Sequence, residues 1–418
     1  SFERLEADAE TDVVIIGAGY AGLNAARQLA QRHSRSVVVL DAHWPGWGAS
    51  GRNGGFCCIG GGMLPHAQII KRWGQSEAQA FADVQRSAID HVRELLVSHS
   101  IDAEPTGRGE LCLAHTKRAN KGFAAEAELM SKLHGVNFEH WSREEVRERK
   151  AWVAGCRGGL YSPLGFALNP WRYVQGLTDV CARAGVEIYA NSPATSLEPH
   201  ADGWRVKTDR GSVTAAKLLI TTNGYSSENL PDWLAGRYLP VLSSIIVTEP
   251  LSKSDLEAQK FSTDIMSYDA RSLLHYFRVL KDGRFLFGAR GGLAATEAEE
   301  RRVRQQVGRD FQRMFPHWSE AQLSYFWSGL VCLSGHLQPY VGALPGYPNA
   351  YAAFGWHGNG VAMASYCGKL LGDQVAGVAR PDSLCAPLRA IPDKMALGRR
   401  RRVLLRPAYA MAGLREHF

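Results

Sequence analysis

The sequence predicts an α/β chain in which a parallel sheet is interrupted by a second, mostly antiparallel β-sheet. Three observations carry that expectation. A β-branched run, Asp12 to Ile16, leads straight into Gly17-x-Gly19-x-x-Gly22 and a helix-forming stretch. A second run, Ser36 to Leu40, follows and closes on Asp41. Strand-like runs then cluster far downstream, between Leu239 and Arg290. With 418 residues, 45% hydrophobic and 21% charged, the chain has length for two or three folded units and is too balanced to stay disordered.

Taken in order, Asp12 to Ile16 reads as a strand covered on both faces, because its apolar residues are continuous rather than alternating. Leu23 to Ala30 supplies the helix, and Ser36 to Leu40 the next strand. Strand, glycine turn, helix, strand and acid within about 30 residues form a dinucleotide-binding βαβ unit. Glu77 to His99 carries Phe81, Val84, Ala88, Val92 and Leu95 near helical spacing, and Lys117 to Leu133 is a second helix. Pro170, suited to a first turn, opens a helix to Ala184. Strands follow at Val186–Tyr189, Trp204–Thr208 and Lys217–Thr221, the last two as a small hairpin returning to a central strand. Ser244–Thr248, Leu273–Phe277 and Arg284–Phe287 suggest the separate antiparallel sheet. Glu297 to Met314 is a charged helix, and Ala350 to Phe354 a last strand before a glycine cluster.

Composition excludes several functions. From Arg389 onward there are eight basic and two acidic residues, whereas the first 388 residues hold 40 basic and 39 acidic ones. The body is neutral and only its tail is basic, which argues against a nucleic-acid-binding face. No apolar run reaches the roughly 18 residues of a membrane span. The eight cysteines (Cys57, Cys58, Cys112, Cys156, Cys181, Cys332, Cys367 and Cys385) form no C-x-x-C pair. No metal site is expected, and scattered reduced thiols make the cytoplasm the expected compartment.

In the first motif, Gly17 permits the tight turn, Gly19 lets backbone amides approach a pyrophosphate, and Gly22 lets helix and strand pack closely. The anion would sit on the helix N-terminus, with Asp41 placed to accept from ribose hydroxyls. This pattern does not separate FAD from NAD. The loop Trp47-Gly-Ala49-Ser50-Gly-Arg52-Asn53-Gly54-Gly55 follows, rich in small residues and hydrogen-bonding groups. Two more strand-end turns come later, Thr221-Thr222-Asn223-Gly224 and Phe354-Gly355-Trp-His357-Gly358-Asn359-Gly360-Val361. Four ligand-type loops imply a cofactor held along its whole length, unlike NAD, which exchanges between turnovers.

These motifs resemble the FAD-dependent D-amino-acid oxidase superfamily, which includes glycine oxidase and sarcosine oxidase. Gly48 to Gly55 is especially similar to its gamma-glutamylputrescine oxidase-like branch, as are Gly165–Pro170, Thr221–Tyr225, Asp282–Gly288, Trp327–Gly329 and Gly355–Val361. The resemblance implies a Rossmann-like FAD-binding domain built from residues 1–90, 150–225 and 325–385. It implies an inserted substrate domain over 91–149 and 226–324, leaving 386–418 as a basic tail. It also implies oxidation of a C–N bond of a small amine or amino acid, with oxygen or another carrier as electron acceptor.

Within that frame Arg290 is the candidate for binding a substrate carboxylate, because its planar fork matches two oxygens. Tyr276 is expected to line the same cavity or to be a core aromatic. His357 is a candidate donor to the flavin carbonyls, with a structural histidine as the alternative. In sarcosine oxidase a cysteine in the region of Cys332 bonds covalently to the flavin; here a buried free thiol is the expected reading. The strand Phe285 to Ala289 lacks the lysine that sarcosine oxidase uses for oxygen activation, which leaves the acceptor open between oxygen and quinone. A flavin-binding protein without turnover is the remaining alternative. The run Arg399 to Arg406 would as a helix set Arg399, Arg402 and Arg406 on one side, a solvated face rather than a membrane contact.

Overall fold

The computed structural model describes residues 2–293 and 296–415, so Ser1 and the end of the expected tail, 416–418, lie outside the described residues. Two large sheets organise the chain. In the first, Ala9–Ile16, Val37–Leu40, Glu187–Tyr189, Ser212–Ile220 and Ala350–Phe354 run parallel. Tyr340–Ala343 closes one edge antiparallel, and the meander Ser196–His200, Gly203–Lys207 feeds antiparallel into the central strand. The opening strand is covered on both faces, as its continuous apolar run requires. Val13 and Ile15 pack with the helices Tyr20–His33, Pro170–Arg183 and Gly360–Val375, while Val14 joins Leu218, Ile220 and Phe354 on the other side.

The second sheet has the strand order Leu323–Ser334, Tyr238–Thr248, Phe285–Arg290, His275–Val279, Met266–Asp269, Glu110–Leu113, Gly158–Ser162, Glu139–Ser142. It is antiparallel except where Met266–Asp269 pairs parallel with Glu110–Leu113. The mostly antiparallel expectation therefore holds. The boundaries expected at 150 and 325 cut through this sheet, because Gly158–Ser162 and nearly all of Leu323–Ser334 come from segments assigned to the nucleotide-binding domain.

Strand alternation gives the second sheet two different faces. One carries Leu111, Phe277, Phe285 and Phe287 against Val307, Phe311 and Phe315 of the helix Glu297–Met314 and its end, forming an aromatic core. The other carries Tyr268, Tyr276, Gly288, Arg290, Ser243 and Gly329, set side by side by the pairings Tyr268 with Tyr276, Tyr276 with Gly288, Arg290 with Ser243 and Ser243 with Gly329. This second face is the one that lines a cavity.

A buried ion cluster ties the long helix to the aromatic side. His275 Nδ1 lies 2.7 Å from Asp269 and its Nε2 3.4 Å from Asp310. Burial alone would lower the imidazole's pKa, but the two carboxylates outweigh it and hold it at about 9. Folding therefore gains from the charged ring fully below about pH 6.5, and the gain is lost as pH rises through about 9. The His275→Gln variant should lose on the order of 3 kcal/mol at pH 6 and much less at pH 10. Thermal melts of both proteins at the two pH values check this.

The arginine-rich segment differs from its expectation. Gly398–Leu404 is a 3-10 turn, and the α-helix begins only at Leu405. Arg401 is buried, pairs with Glu228, and donates to the Tyr238 carbonyl. Arg399 donates to Asn229 Oδ1 at 2.6 Å. The run is thus pinned to the 228–238 segment rather than forming one solvated helix. Among the described residues no helix is long and apolar enough to cross a membrane.

Candidate active site

The carboxyl ends of the parallel strands open into a cavity of about 430 Å³, which adjoins a second chamber of about 350 Å³. Ala49, Asn53, Leu330, Val331, Gly358 and Val361 border both, so the two spaces meet between the loop after Trp47 and the last glycine cluster.

The first cavity gathers most of the residues expected to hold a nucleotide. Gly17 and Gly19 border it under the start of the helix Tyr20–His33, which has no side-chain cap. Asp41 borders it too, with Oδ2 accepting from Ala18 N at 2.8 Å and Oδ1 from His43 N at 2.9 Å. Burial raises its pKa while those two N–H groups oppose the rise. The carboxylate therefore fixes the glycine turn as well as facing the cavity. Ser50 Oγ accepts from Tyr20 N at 3.0 Å, and a Cβ on Gly19 would lie 2.9 Å from that oxygen. Thr222 and Asn223 border the cavity from the next strand end, with Asn223 Oδ1 accepting from Gly355 N at 2.9 Å. Gly360 and Val361 begin the helix Gly360–Val375, which likewise has no side-chain cap.

Gly22, Gly55, Gly224 and Gly355 do not border either space; they let neighbouring backbone or side chains approach closely. A Cβ on Gly55 would fall 1.9 Å from the Leu168 carbonyl oxygen, and one on Gly224 would lie 3.2 Å from Leu330 Cβ. Asn53 braces its own loop, donating to the Ala49 and Ser50 carbonyls and accepting from Gly55 N, and also donates to the Tyr20 hydroxyl at 3.3 Å. Arg52 stacks 4.4 Å above the Trp47 ring and donates to the carbonyls of Trp47 and Ser328.

Two uncapped helix N-termini, a carboxylate at a strand end and glycines at which added side chains would intrude together fit an extended dinucleotide. Gly17, Gly19 and Ser50 would face its phosphates, Asp41 its ribose, and Gly358 to Val361 its far end.

The second chamber brings together Arg290 and Tyr276 with Arg52, Gly54, His357 and Asn359. Tyr276 is fixed by a 2.9 Å contact between its hydroxyl and Ser243 Oγ. It lies flat over Gly288, where a Cβ would come within 2.1 Å of its ring. Arg290 is half-buried and donates from Nη2 to the His357 carbonyl at 2.7 Å. No carboxylate among the described residues forms an ion pair with it, and burial lowers its pKa.

His357 does not fit the role of donor to a bound ring. Its Nδ1 is 2.8 Å from the Gly61 carbonyl, and its Nε2 accepts from Ser334 N at 3.1 Å. Both ring nitrogens are spent on backbone, and burial holds its pKa at about 4. It is a neutral imidazole that pins the glycine cluster, while its carbonyl orients Arg290.

Cys332 borders the first cavity from the strand Leu323–Ser334, buried, with burial pushing its thiol up to about 12. A thiol so protonated is a poor nucleophile. Acid precipitation of the protein should therefore release all of its flavin into the supernatant, and yellow colour in the pellet would refute this.

Three contributors escape sequence reasoning. Ser243 and Tyr268 border the chamber by sheet register alone. Arg278 is buried and reaches the Gly54 and Leu168 carbonyls at 2.8 and 2.7 Å, clamping the loop after Trp47; burial lowers its pKa to about 10. An arginine between two apolar strand residues was the available signal.

The profile of a family described as FAD dependent oxidoreductase matches residues 12–374. "Probable oxidoreductase OrdL" of Rhizobium meliloti (strain 1021) is 30% identical over 420 residues, covering 100% of this chain and 95% of that protein. Gamma-glutamylputrescine oxidoreductase of Escherichia coli (strain K12) is 28% identical over 380 residues, covering 90% and 86%. Among solved structures, glycine oxidase from Geobacillus kaustophilus superposes with a TM-score of 0.73 at 18% identity, covering 89% of this chain and 96% of that one. L-proline dehydrogenase from P. horikoshii gives 0.72 at 16% identity, covering 89% and 95%. These last two likenesses are of fold.

Proposed function

The chain belongs to the FAD-dependent oxidoreductase family, and from that premise we propose that it oxidises the C–N bond of an amine or amino acid to an imine. Water then hydrolyses the imine to a carbonyl compound and an amine, and oxygen takes the two electrons as hydrogen peroxide. The observation that carries this reading is the second chamber, adjoining the first cavity and holding Arg290, which has no carboxylate partner among the described residues.

FAD, when bound, supplies the two-electron acceptor for a hydride leaving the carbon next to nitrogen. The chain's own residues do the rest. Arg290, oriented by the His357 carbonyl, receives the substrate carboxylate on its remaining N–H groups. Tyr276, held by Ser243, forms a rigid wall against which the substrate lies. The largely apolar lining, including Phe56, Ile59, Met63 and Leu274, excludes water and favours a neutral amine, the form able to release a hydride.

Anaerobic addition of a panel of amines and amino acids tests the reading. Bleaching of the bound flavin by at least one of them supports it, and no bleaching by any would leave a flavin-binding protein without turnover. A second acceptor, such as a quinone, is favoured by one observation: the described residues lining the chamber include arginine but no lysine. One peroxide per substrate oxidised points to oxygen, and little or none to a carrier. The eight free, buried cysteines support a reducing compartment such as the cytoplasm.

A further inference from the structure

The far wall of the second chamber carries an acid that the mechanism above does not use. Glu110 lies on the strand Glu110–Leu113, whose Leu111 and Leu113 point into the aromatic core, so Glu110 and Cys112 face the opposite way. It borders the chamber together with Tyr268, Cys58, Gln85 and, from the helix Lys117–His134, Glu126. Only 6% of Glu110 is exposed. The Cys58 thiol is its hydrogen-bond partner, and no cation among the described residues pairs with it. Burial pushes its carboxyl up to about 8.

A second, independent feature of this wall also awaits a ligand. Gln85 is 1% exposed; its Oε1 accepts from Gly60 N at 2.8 Å, but its Nε2 has no hydrogen-bond partner. Burial keeps the Glu110 carboxyl protonated until a cation arrives to stabilise its ionised form, and a buried amide without an acceptor costs free energy until something enters to meet it. Arg290 stands at the other end of the same space, three strands away, or roughly 14 Å at ordinary strand spacing. The pairing register displaces the two further along the strands, in opposite directions from the row Gly288, Tyr276, Tyr268, Cys112.

Resting on the proposed amine oxidation, we propose that Glu110 is a specificity-determining residue which selects extended substrates carrying a carboxylate at one end and a second, positively charged nitrogen at the other. The carboxylate meets Arg290, the distal ammonium meets Glu110, and Gln85 Nε2 is left to donate to a carbonyl or hydroxyl near that end. Short amino acids reach Arg290 only, and so gain nothing from the acid.

Hexanoate and 6-aminohexanoate are the probes, titrated anaerobically into the holoenzyme while the flavin spectrum is followed. Wild type should respond to 6-aminohexanoate at a concentration at least about tenfold lower than to hexanoate, the usual scale of a charge-assisted hydrogen bond. Glu110→Gln should erase that preference by weakening 6-aminohexanoate at least about tenfold, with hexanoate changed less than about twofold. Glu110→Asp, which keeps a carboxyl able to ionise, should restore part of it, and serves if the Gln variant loses its flavin. Equal or tighter binding of hexanoate to wild type, no response to 6-aminohexanoate, or an unchanged ratio in the Gln variant would each overturn the proposal. Amine-driven bleaching that persists alongside such a result would leave the oxidase reading standing.

Discussion

The Gly22→Ala protein is expected to purify without flavin colour and with a melting temperature lowered by about 6 °C or more. A Cβ at this position would lie 2.0 Å from the Gly17 carbonyl oxygen and 2.7 Å from Thr221 Oγ1. The first neighbour is backbone, so no rotamer change relieves the overlap. The start of the helix Tyr20–His33 would have to lift away from the strand end, taking its N–H groups away from the place where phosphates would bind. Overpacking of this kind costs about 3 kcal/mol or more, and each kcal/mol shifts the melting point of a large domain by about 2 °C or more. Gly122→Ala is the matched control. That glycine sits inside the helix Lys117–His134 with nothing within 4 Å of an added Cβ, so the change should be neutral or stabilising by up to about 1 kcal/mol. Visible spectra and thermal melts of the two variants check the contrast, and a fully yellow Gly22→Ala protein would contradict it.

The parallel sheet was legible because its signals are local. Val13 to Ile16, the glycine turn and Asp41 lie within one βαβ unit, and each residue's role follows from spacing along the chain. The helices Gln75–Ser98 and Glu297–Met314 were legible for the same reason, since one apolar stripe identifies each. The second chamber was not, because it depends on register between strands far apart in sequence. Glu110 acquires its setting only when Glu110–Leu113 pairs with Met266–Asp269, some of whose partners come later still. His275 looks like one more strand residue until Asp310, on another element, reaches it. Side-chain direction was equally hidden. The motif around His357 reads in the sequence as a cofactor turn, yet the ring faces Gly61 and Ser334, and what the residue presents to Arg290 is its carbonyl. The same limit applies to Arg401, one of four consecutive arginines and buried.

Removing the Arg290 fork should produce the largest change in catalysis that leaves the fold intact. For whichever amino acid bleaches the flavin most efficiently, Arg290→Ala should lower kcat/KM by about 100-fold to 1,000-fold, the cost of leaving a bound substrate carboxylate unpaired. The loss should fall mainly on KM, because the fork binds the carboxylate alike before and during the reaction. An amine lacking a carboxylate should be oxidised about as well by the variant as by wild type. Arg290→Lys discriminates further. Lysine keeps the charge but offers a point donor, and it cannot donate to the His357 carbonyl while also gripping two carboxylate oxygens. It should recover no more than about tenfold of the loss. If Arg290 served only to hold the glycine cluster through that carbonyl, both variants would weaken flavin retention and impair every substrate equally. Steady-state kinetics on a matched pair, one substrate with a carboxylate and one without, together with the flavin-to-protein ratio of each variant, separates the two cases. A substrate-independent loss would assign Arg290 to the scaffold and leave the carboxylate without its partner in the chamber.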